Sequence, residues 1–259
     1  MVIRPPVETE GMASVWRDSD LQYDVAAGHW VRNAIESASK NTVVSLVPVG
    51  FEAYGRVLEP VQSVDEGGYE RWLRWADVAR ATGAIAHASM ELETMLEFSP
   101  EGYVRSTPIV PESPVPPWQP QQLIALSEVL AQHTTTPEHC WFGFWEGNTA
   151  FAGIPLDVPK LTVEGFRYYL LRGPVARAAD TFHGLEAHLW WPDDRAWYVA
   201  THFDFPCAYL GGSTRCIDDV LNTDSLEAWP AATLQQITVD SDLVNTELLH
   251  KRGPGQRPE

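Results

Sequence analysis

HLWWPDDRAWYVATHFDFPCAYLGGS, residues 188–213, is the stretch that decides the fold of this chain. Its Pro-Asp-Asp at 192–194 predicts a turn, and the run 196–205 predicts a strand that is followed by a further strand around 209–210. Ser213 then predicts the N-cap of a helix, because its hydroxyl can accept a hydrogen bond from the first helical turn. Neighbouring strands followed by a capped helix indicate a sheet with helices packed on it.

The side chains of the strand 196–205 alternate between the two faces of the sheet. The apolar face, which we predict to be core, carries Trp197, Val199, Thr201, Phe203 and Phe205. The opposite face carries Tyr198, Ala200, His202 and Asp204. An imidazole and a carboxylate thus stand two residues apart, with about 6–7 Å between their Cα atoms. This second face is the sharpest candidate for a functional site.

Two interpretations of the His202–Asp204 pair stay open. In one, the carboxylate orients the imidazole as a general base for a hydrolase or transferase, with Ser213, Tyr209 or Cys207 as the nearest nucleophiles. In the other, both side chains only line the polar face of a half-buried sheet, which is the commoner arrangement and the one we favour. The catalytic candidates are His202, Asp204, Ser213 and Tyr209.

The same face also has the composition of a ligand groove, since small-molecule sites combine aromatic side chains with a few polar groups. The candidate ligand-binding residues are Tyr198, His202, Asp204, Trp190, Trp191 and Arg195. A second stretch of this kind is RWLRW at 71–75, which can stack guanidinium groups on indoles or line a pocket for a planar or carboxylated ligand. Structural stacking is the commoner use of such a stretch.

Anion, metal and cofactor sites are not predicted. Gly211-Gly212-Ser213 stands before a helix, where backbone N–H groups can bind an anion, but neither a Walker nor a dinucleotide-binding pattern accompanies it. We interpret it as a glycine turn with an N-cap. The spacing of His183 and His188 fits neither one helix face nor strand alternation, and no cysteine has zinc-site spacing.

The rest of the chain supplies further helices and strands. We predict helices in 26–38, 69–96 (with a stop at Gly83) and 120–133, and strands in 42–61, 140–147, 165–174 and 236–245. These elements come in runs rather than in strict alternation. The pattern predicts the α+β class, with a mixed or largely antiparallel sheet and helices packed on it in a single compact unit.

The domain organisation follows from the composition. We predict a loosely ordered leader at 1–22, a single domain at 23–250 and a flexible tail at 251–259. The proline-rich segment 108–120 is either a rigid crossing loop within that domain, which we favour, or a linker between halves at 23–107 and 118–250.

Charge narrows the classes of partner. The chain has 35 acidic and 18 basic residues, for a net charge of −17. This charge speaks against nucleic acid and anionic membranes, and it favours solubility and fast encounter with a basic protein partner. A small molecule is the other partner that we consider. The chain has neither a secretory signal pattern nor an 18-residue apolar run, and its three cysteines form no CxxC. We therefore expect a cytoplasmic protein.

Five blocks of the chain resemble a family of hypothetical proteins from high-GC Gram-positive bacteria. The blocks are SLVPVGFEAYGRVLEP (45–60), RWADVARATG (74–83), HTTTPEHCWFGFWEG (133–147), YYLLRGP (168–174) and WWPDDRAWYVATHFDFPCAYLGGS (190–213). The resemblance covers most of residues 42–245 and implies homology over the whole domain. It implies no activity, cofactor or site residue. The family tends to carry an acidic residue where His202 stands, which speaks against a catalytic role for this histidine.

The sequence as a whole favours a non-catalytic, acidic, tryptophan-rich protein that binds a protein partner or a small ligand through an aromatic-lined groove. An inhibitor of a basic enzyme is one concrete version. The alternative is a hydrolase or transferase that uses the His202–Asp204 pair, although the nucleophile-elbow, zinc-protease and kinase motifs are absent. The sequence leaves the oligomeric state open.

Overall fold

The computed structural model describes residues 15–35, 40–64, 70–96, 98–99, 102–103, 118–202, 205–238 and 240–246. The strands are β1 (Val15–Trp16), β2 (Ala53–Leu58), β3 (Val61–Val64), β4 (Glu70–Leu73), β5 (Phe98–Ser99), β6 (Gly102–Tyr103), β7 (Cys140–Trp145), β8 (Leu161–Val163), β9 (Phe166–Gly173), β10 (Thr181–Phe182), β11 (Leu189–Pro192), β12 (Tyr198–His202), β13 (Phe205–Gly212) and β14 (Glu227–Ala231). The α-helices are α1 (His29–Ile35), α2 (Trp75–Thr82), α3 (Leu92–Met95), α4 (Pro120–Ala131) and α5 (Thr214–Leu221). Short 3-10 helices span Asp18–Asp20, Ala26–Gly28, Val43–Ser45, Thr149–Phe151 and Val175–Ala179.

Eight strands form one open sheet in the order β14-β2-β13-β12-β11-β7-β9-β8. Every neighbouring pair in this sheet is antiparallel. The predicted α+β class with a largely antiparallel sheet is confirmed. The two edge strands are β8, which has three residues, and β14, which contains Pro230.

Both faces of the sheet are buried, which gives the protein two cores. On one face, Leu126 of α4 and Val220 of α5 pack with Val199 of β12. On the other face, helices α1 and α2 cover Tyr198 and Ala200 of the same strand. The side chains of β12 alternate between the two faces as predicted. The face that carries Tyr198 and Ala200 is not solvated, however, because a second layer of helices covers it.

The local patterns that predicted α4, α5, β7 and β9 are confirmed. Leu123, Leu126 and Leu130 are buried on one side of α4, which begins at Pro120. Ser213 is the N-cap of α5, and its Oγ accepts a hydrogen bond of 3.2 Å from Cys216 N. Helices α4 and α5 form where the sequence carries both apolar residues at helical spacing and a helix start signal.

Four segments differ from the sequence prediction. The run 43–45 forms a 3-10 turn instead of a strand, segment 70–73 forms β4 instead of a helix, and of the helix predicted after Gly83 only Leu92–Met95 is helical. β14 replaces the edge strand expected within 236–245. The start of α2 shows the physical reason. The carboxylate of Glu227 accepts hydrogen bonds from Trp75 N (2.6 Å) and Ala76 N (2.9 Å), which fixes the helix start from a distant strand.

Residues 15–22, which the sequence assigned to the loosely ordered leader, are part of the described fold. β1 pairs in parallel with β10. Trp16 is buried, with its ring 5.2 Å from that of Phe142 and the Arg177 guanidinium 3.3 Å from its centre. Residues 15–22 therefore belong to the fold. Residues 1–14, most of the proline-rich segment 108–120 and the tail 251–259 lie outside the described residues.

The predicted Pro-Asp-Asp turn is confirmed, and it fastens a neighbouring loop. The Asp194 carboxylate accepts hydrogen bonds from Thr134 Oγ1 (2.8 Å), Thr135 N (2.7 Å), Thr135 Oγ1 (2.8 Å) and Ala196 N (3.1 Å). Partial burial raises the pKa of Asp194, but the hydrogen bonds from Thr135, Thr134 and Ala196 outweigh it and hold the pKa below its ordinary value. The ionised carboxylate is thus the stabilising form.

We expect Asp194→Ala to lower the free energy of unfolding by roughly 1–3 kcal/mol at pH 7, because several donors lose their acceptor. A depressed folded-state pKa contributes stability above the unfolded-state pKa and loses it as pH falls through the folded-state value. The gap between variant and wild type should therefore close in acid. Urea unfolding between pH 7 and pH 3 measures it, with Asp157→Ala at an exposed loop position as the control. A gap that stays constant with pH would contradict this account.

No helix in the part of the chain that the structure describes is long and apolar enough to cross a membrane. All three cysteines are described, and each is a buried free thiol.

Candidate functional site

His202 lies at the end of β12, between two aromatic rings. Its ring centre is 5.6 Å from that of Phe166 and 4.9 Å from that of Phe205. Nearby, burial and then His202 itself lower the pKa of His188 to about 4, so that His188 is neutral and its Nδ1 accepts from Trp145 N at 3.3 Å. Asp204 lies outside the described residues, so the His202–Asp204 pair stays a prediction.

The structure does not bring the other catalytic candidates to His202. His202 pairs with Phe205 at the start of β13, whereas Ser213 follows the opposite end of that eight-residue strand, roughly 25 Å away. Ser213 Oγ is already engaged as the helix N-cap. Tyr209 is buried in mid-strand under the guanidinium of Arg56, 5.6 Å from its ring centre.

The aromatic residues predicted to line a ligand groove lie in the two cores. Trp190, Trp191 and Tyr198 are each at most 2% exposed. Trp191 stacks on Tyr198 at 5.9 Å, whereas Trp190 packs against Trp197 on the other face at 5.7 Å. Arg195 is exposed and lies 5.3 Å over the ring of Trp30. These contacts stabilise the sheet, and the four residues enclose no common groove.

Gly211 and Gly212 serve packing within β13. A Cβ on Gly211 would lie 2.4 Å from the ring of Phe51, and one on Gly212 would lie 3.2 Å from the sulfur of Cys216. Close approach of neighbouring layers explains both glycines without an anion. Among the described residues, no group of three or more His, Cys, Asp or Glu side chains is placed to hold a metal ion.

A concave site lies elsewhere, beside β4. We call it the β4 cleft; it has a volume of about 200 Å³ and is lined by Leu58, Pro60, Trp72, Arg74, Gln122, Ser225 and Glu227. It forms where the end of β2, strand β4, the first turn of α4 and the start of β14 meet. Trp72 and Arg74 belong to the arginine–tryptophan stretch that the sequence indicated. Gln122, Ser225 and Glu227 have no local sequence signal, because they reach the cleft only through the fold.

The two charged side chains of the β4 cleft differ in how many of their hydrogen-bonding groups are already engaged within the protein. Glu227 is buried, and both of its oxygens cap α2. Burial raises the pKa of Glu227, while the backbone N–H groups of Ala76 and Trp75 lower it. The exposed Arg74 donates from Nη2 to the carbonyl of Asp224. Glu227 is thus committed to structure, whereas Arg74 keeps further N–H groups for a ligand.

Two groups in the β4 cleft are free to interact with a ligand. The Trp72 side chain is 40% exposed, although most tryptophans of this chain are buried. Gln122 Oε1 is buried and finds no hydrogen-bond partner among the described residues. A buried acceptor without a partner is costly, and in native structures it commonly marks a site for water or a ligand.

A larger polar network near α3 has a structural role. Arg56, which is 1% exposed, donates to both oxygens of Glu91 (3.0 and 3.1 Å) and to Met90 O (2.9 Å). Its guanidinium lies 5.2 Å over the ring of Trp75, and Ser241 Oγ donates to Glu91 at 2.9 Å. The network joins β2 to the segments around 90 and 241.

His87 lies in a contact that resembles a catalytic dyad but is used differently. Its Nε2 is 2.9 Å from Asp242 Oδ1, and its Nδ1 accepts from Ser89 N at 3.2 Å. Asn245 Nδ2 donates to Asp242 Oδ2 at 2.8 Å. Because both ring nitrogens have partners, this histidine cannot activate a nucleophile in this arrangement. The network fastens the 240–246 segment to the 85–91 segment.

No protein-family model, no curated protein and no solved structure matches this chain.

Proposed function

We propose that the protein is a non-catalytic binding protein whose ligand, a small polar molecule or a side chain of a partner protein, enters the β4 cleft. The supporting observation is the coincidence, in one concavity, of an exposed indole, a guanidinium with unused donors and a buried amide oxygen without a partner. Apolar walls with a few converging polar groups are typical of binding sites. The volume of about 200 Å³ is below that of drug-sized pockets and suits a small ligand.

The distribution of the titratable groups supports binding over catalysis. Ser213 and Tyr209 lie away from His202, so a hydrolase or transferase built on them lacks its nucleophile. In the β4 cleft the one carboxylate, Glu227, is held by the helix it caps. A basic protein partner rests on the net charge of −17 alone and stays a prediction, as does a cytoplasmic location, which the three free thiols favour.

A thermal-shift panel of sugars, amino acids, nucleotides and neutral amides tests the proposal. A ligand at 100 times its Kd adds about 2.7 kcal/mol of stability. For a chain of this length, that should raise the unfolding midpoint by roughly 5–10 °C. A panel without any shift would remove the support for a small-molecule site.

We expect Gln122→Met to abolish the shift caused by any ligand found in this way. The same substitution should raise the free energy of unfolding by roughly 0.5–1 kcal/mol, because it removes a buried acceptor that lacks a partner. Trp72→Ala should also weaken binding, while changing stability by less than about 0.5 kcal/mol. Gln121→Met, at the exposed neighbouring position on α4, is the matched control. If the ligand shift persisted in both cleft variants, the ligand would bind elsewhere.

A further inference from the structure

The β4 cleft lies at one end of the sheet, where residues from both helix layers meet. Its lining residues Leu58 and Glu227 pair with each other at the end of β2 and the start of β14. Gln122 belongs to α4, whose buried side chains pack in the core on one face of the sheet. Arg74 directly precedes α2, whose buried side chains pack in the core on the other face. Gln122 and Arg74 therefore come to the cleft from opposite sides of the sheet.

The two sides of the cleft require different polar partners. Gln122 Oε1 is a buried acceptor without a partner among the described residues, so it needs an N–H or O–H donor. The Arg74 guanidinium has only donors, and Nη2 bonds to the carbonyl of Asp224. Its remaining N–H groups need an acceptor, and their planar arrangement matches a carboxylate best. A ligand that satisfies both sides carries a donor at one end and a carboxylate at the other.

The Trp72 indole favours a flat body between these two ends. It lines the cleft and is 40% exposed, so one face of a ligand ring can stack on it. Leu58 and Pro60 add apolar contacts. The cleft volume of about 200 Å³ is smaller than that of drug-sized pockets, which favours a single aromatic ring over a fused ring system.

Glu227 also lines the cleft, and its negative charge opposes an anionic ligand. Both of its oxygens, however, accept backbone N–H groups at the start of α2, from Trp75 and Ala76. These N–H groups carry the partial positive charge of a helix N-terminus, which offsets the carboxylate locally. Within the described residues Arg74 forms no ion pair, so its positive charge is available to a ligand.

We infer that the ligand of the β4 cleft is a small aromatic carboxylate with an uncharged hydroxyl or amino donor at the opposite end of its ring. This inference rests on the proposed binding function. The donor bonds to Gln122 Oε1, the ring lies against Trp72, and the carboxylate bonds to the guanidinium of Arg74. Each polar end of the ligand thus meets a group that has hydrogen-bonding capacity left.

Three probes of nearly equal shape separate the donor from the charge. The first, para-hydroxybenzoate, has both groups; para-methylbenzoate lacks the donor, and para-hydroxyacetophenone has a neutral acetyl group in place of the carboxylate. Their dissociation constants are measured at pH 7 by calorimetry or ligand-observed NMR on the full chain. We expect para-hydroxybenzoate to bind about tenfold or more tightly than either of the others, since each of these lacks one of the two polar contacts.

Two variants assign each end of the probe to its side chain. Arg74→Gln should weaken binding of para-hydroxybenzoate about tenfold or more and leave that of para-hydroxyacetophenone nearly unchanged. Gln122→Met should reduce the affinity for para-hydroxybenzoate to that for para-methylbenzoate, because the hydroxyl then finds no acceptor. Arg80→Gln, at an exposed position of α2 outside the cleft lining, removes the same charge and is the control. It should leave all three affinities unchanged.

The outcomes distinguish the inference from the function on which it rests. If para-hydroxyacetophenone or para-methylbenzoate bound as tightly as para-hydroxybenzoate, the inference would be overturned while a ligand site remained. The same holds if Arg74→Gln left the affinity for para-hydroxybenzoate unchanged, or if no probe bound while the thermal-shift panel found another ligand. If no probe bound and the panel showed no ligand, both would be overturned.

Discussion

Glu91→Leu should lower the free energy of unfolding by about 3–5 kcal/mol, because it leaves a buried guanidinium without its counter-charge. Arg56 has almost no contact with water and spends two donors on Glu91. Its Nε already lacks a partner within the described residues, so the carboxylate provides most of its compensation. Leucine fills much of the volume that the glutamate side chain leaves. The loss of stability therefore reports the unpaired charge of Arg56 rather than a cavity.

The double variant Arg56→Met/Glu91→Leu separates the two contributions. Replacing both members of a buried ion pair by apolar residues is often neutral. We expect the double variant to recover most of the stability that Glu91→Leu loses, as measured by urea unfolding of all three proteins at one pH. A double variant as unstable as the single one would show that shape, not charge, governs this position.

Trp197→Ala should also cost about 3–5 kcal/mol, the range for removing a buried aromatic side chain. Trp197 is fully buried between β12 and the helices on its face, and its Nε1 donates to Leu130 O at 2.9 Å. Leu130 lies in the last turn of α4, and its carbonyl oxygen also accepts a hydrogen bond of 3.1 Å from His133 N. The side chain thus fills the core and adds a hydrogen bond to the end of a helix.

Trp197→Phe divides these roles, because it keeps an aromatic ring and removes the N–H. We expect it to lose roughly 0.5–1.5 kcal/mol, the range for one hydrogen bond, because Leu130 O keeps its bond from His133 N. Trp72→Ala, at the exposed indole, is the control and should change stability by less than about 0.5 kcal/mol. Urea unfolding gives the free energies. Equal losses for Trp197→Ala and Trp72→Ala would contradict the burial argument.

The fold was predictable where a segment carries its own period and boundaries. Helix α5 shows this, since Ser213 and the apolar positions after it specify both its start and its buried face. Segment 70–73 shows the opposite. Trp72 and Trp75 have helical spacing, yet the helix begins only at Trp75, because a carboxylate from β14 caps it there. No local pattern reports a contact between residues 152 positions apart.

The candidate site was predictable only in part for the same reason. The arginine–tryptophan stretch indicated a possible pocket, and two of its residues line the β4 cleft. The sequence predicted a site on strand 196–205 because the alternating polar residues of this strand are typical of an exposed sheet face. A second layer of helices covers Tyr198, which no pattern within the strand could reveal.

The two edge strands of the main sheet affect how the protein can self-associate. An open edge invites a strand from a second molecule, and short edges or proline are the usual protection against aggregation. β8 offers only three residues, and Pro230 removes a backbone donor from β14. Growth of the sheet from molecule to molecule is therefore disfavoured at both ends. Any self-association of the folded protein should depend on its side-chain surfaces rather than on shared strands.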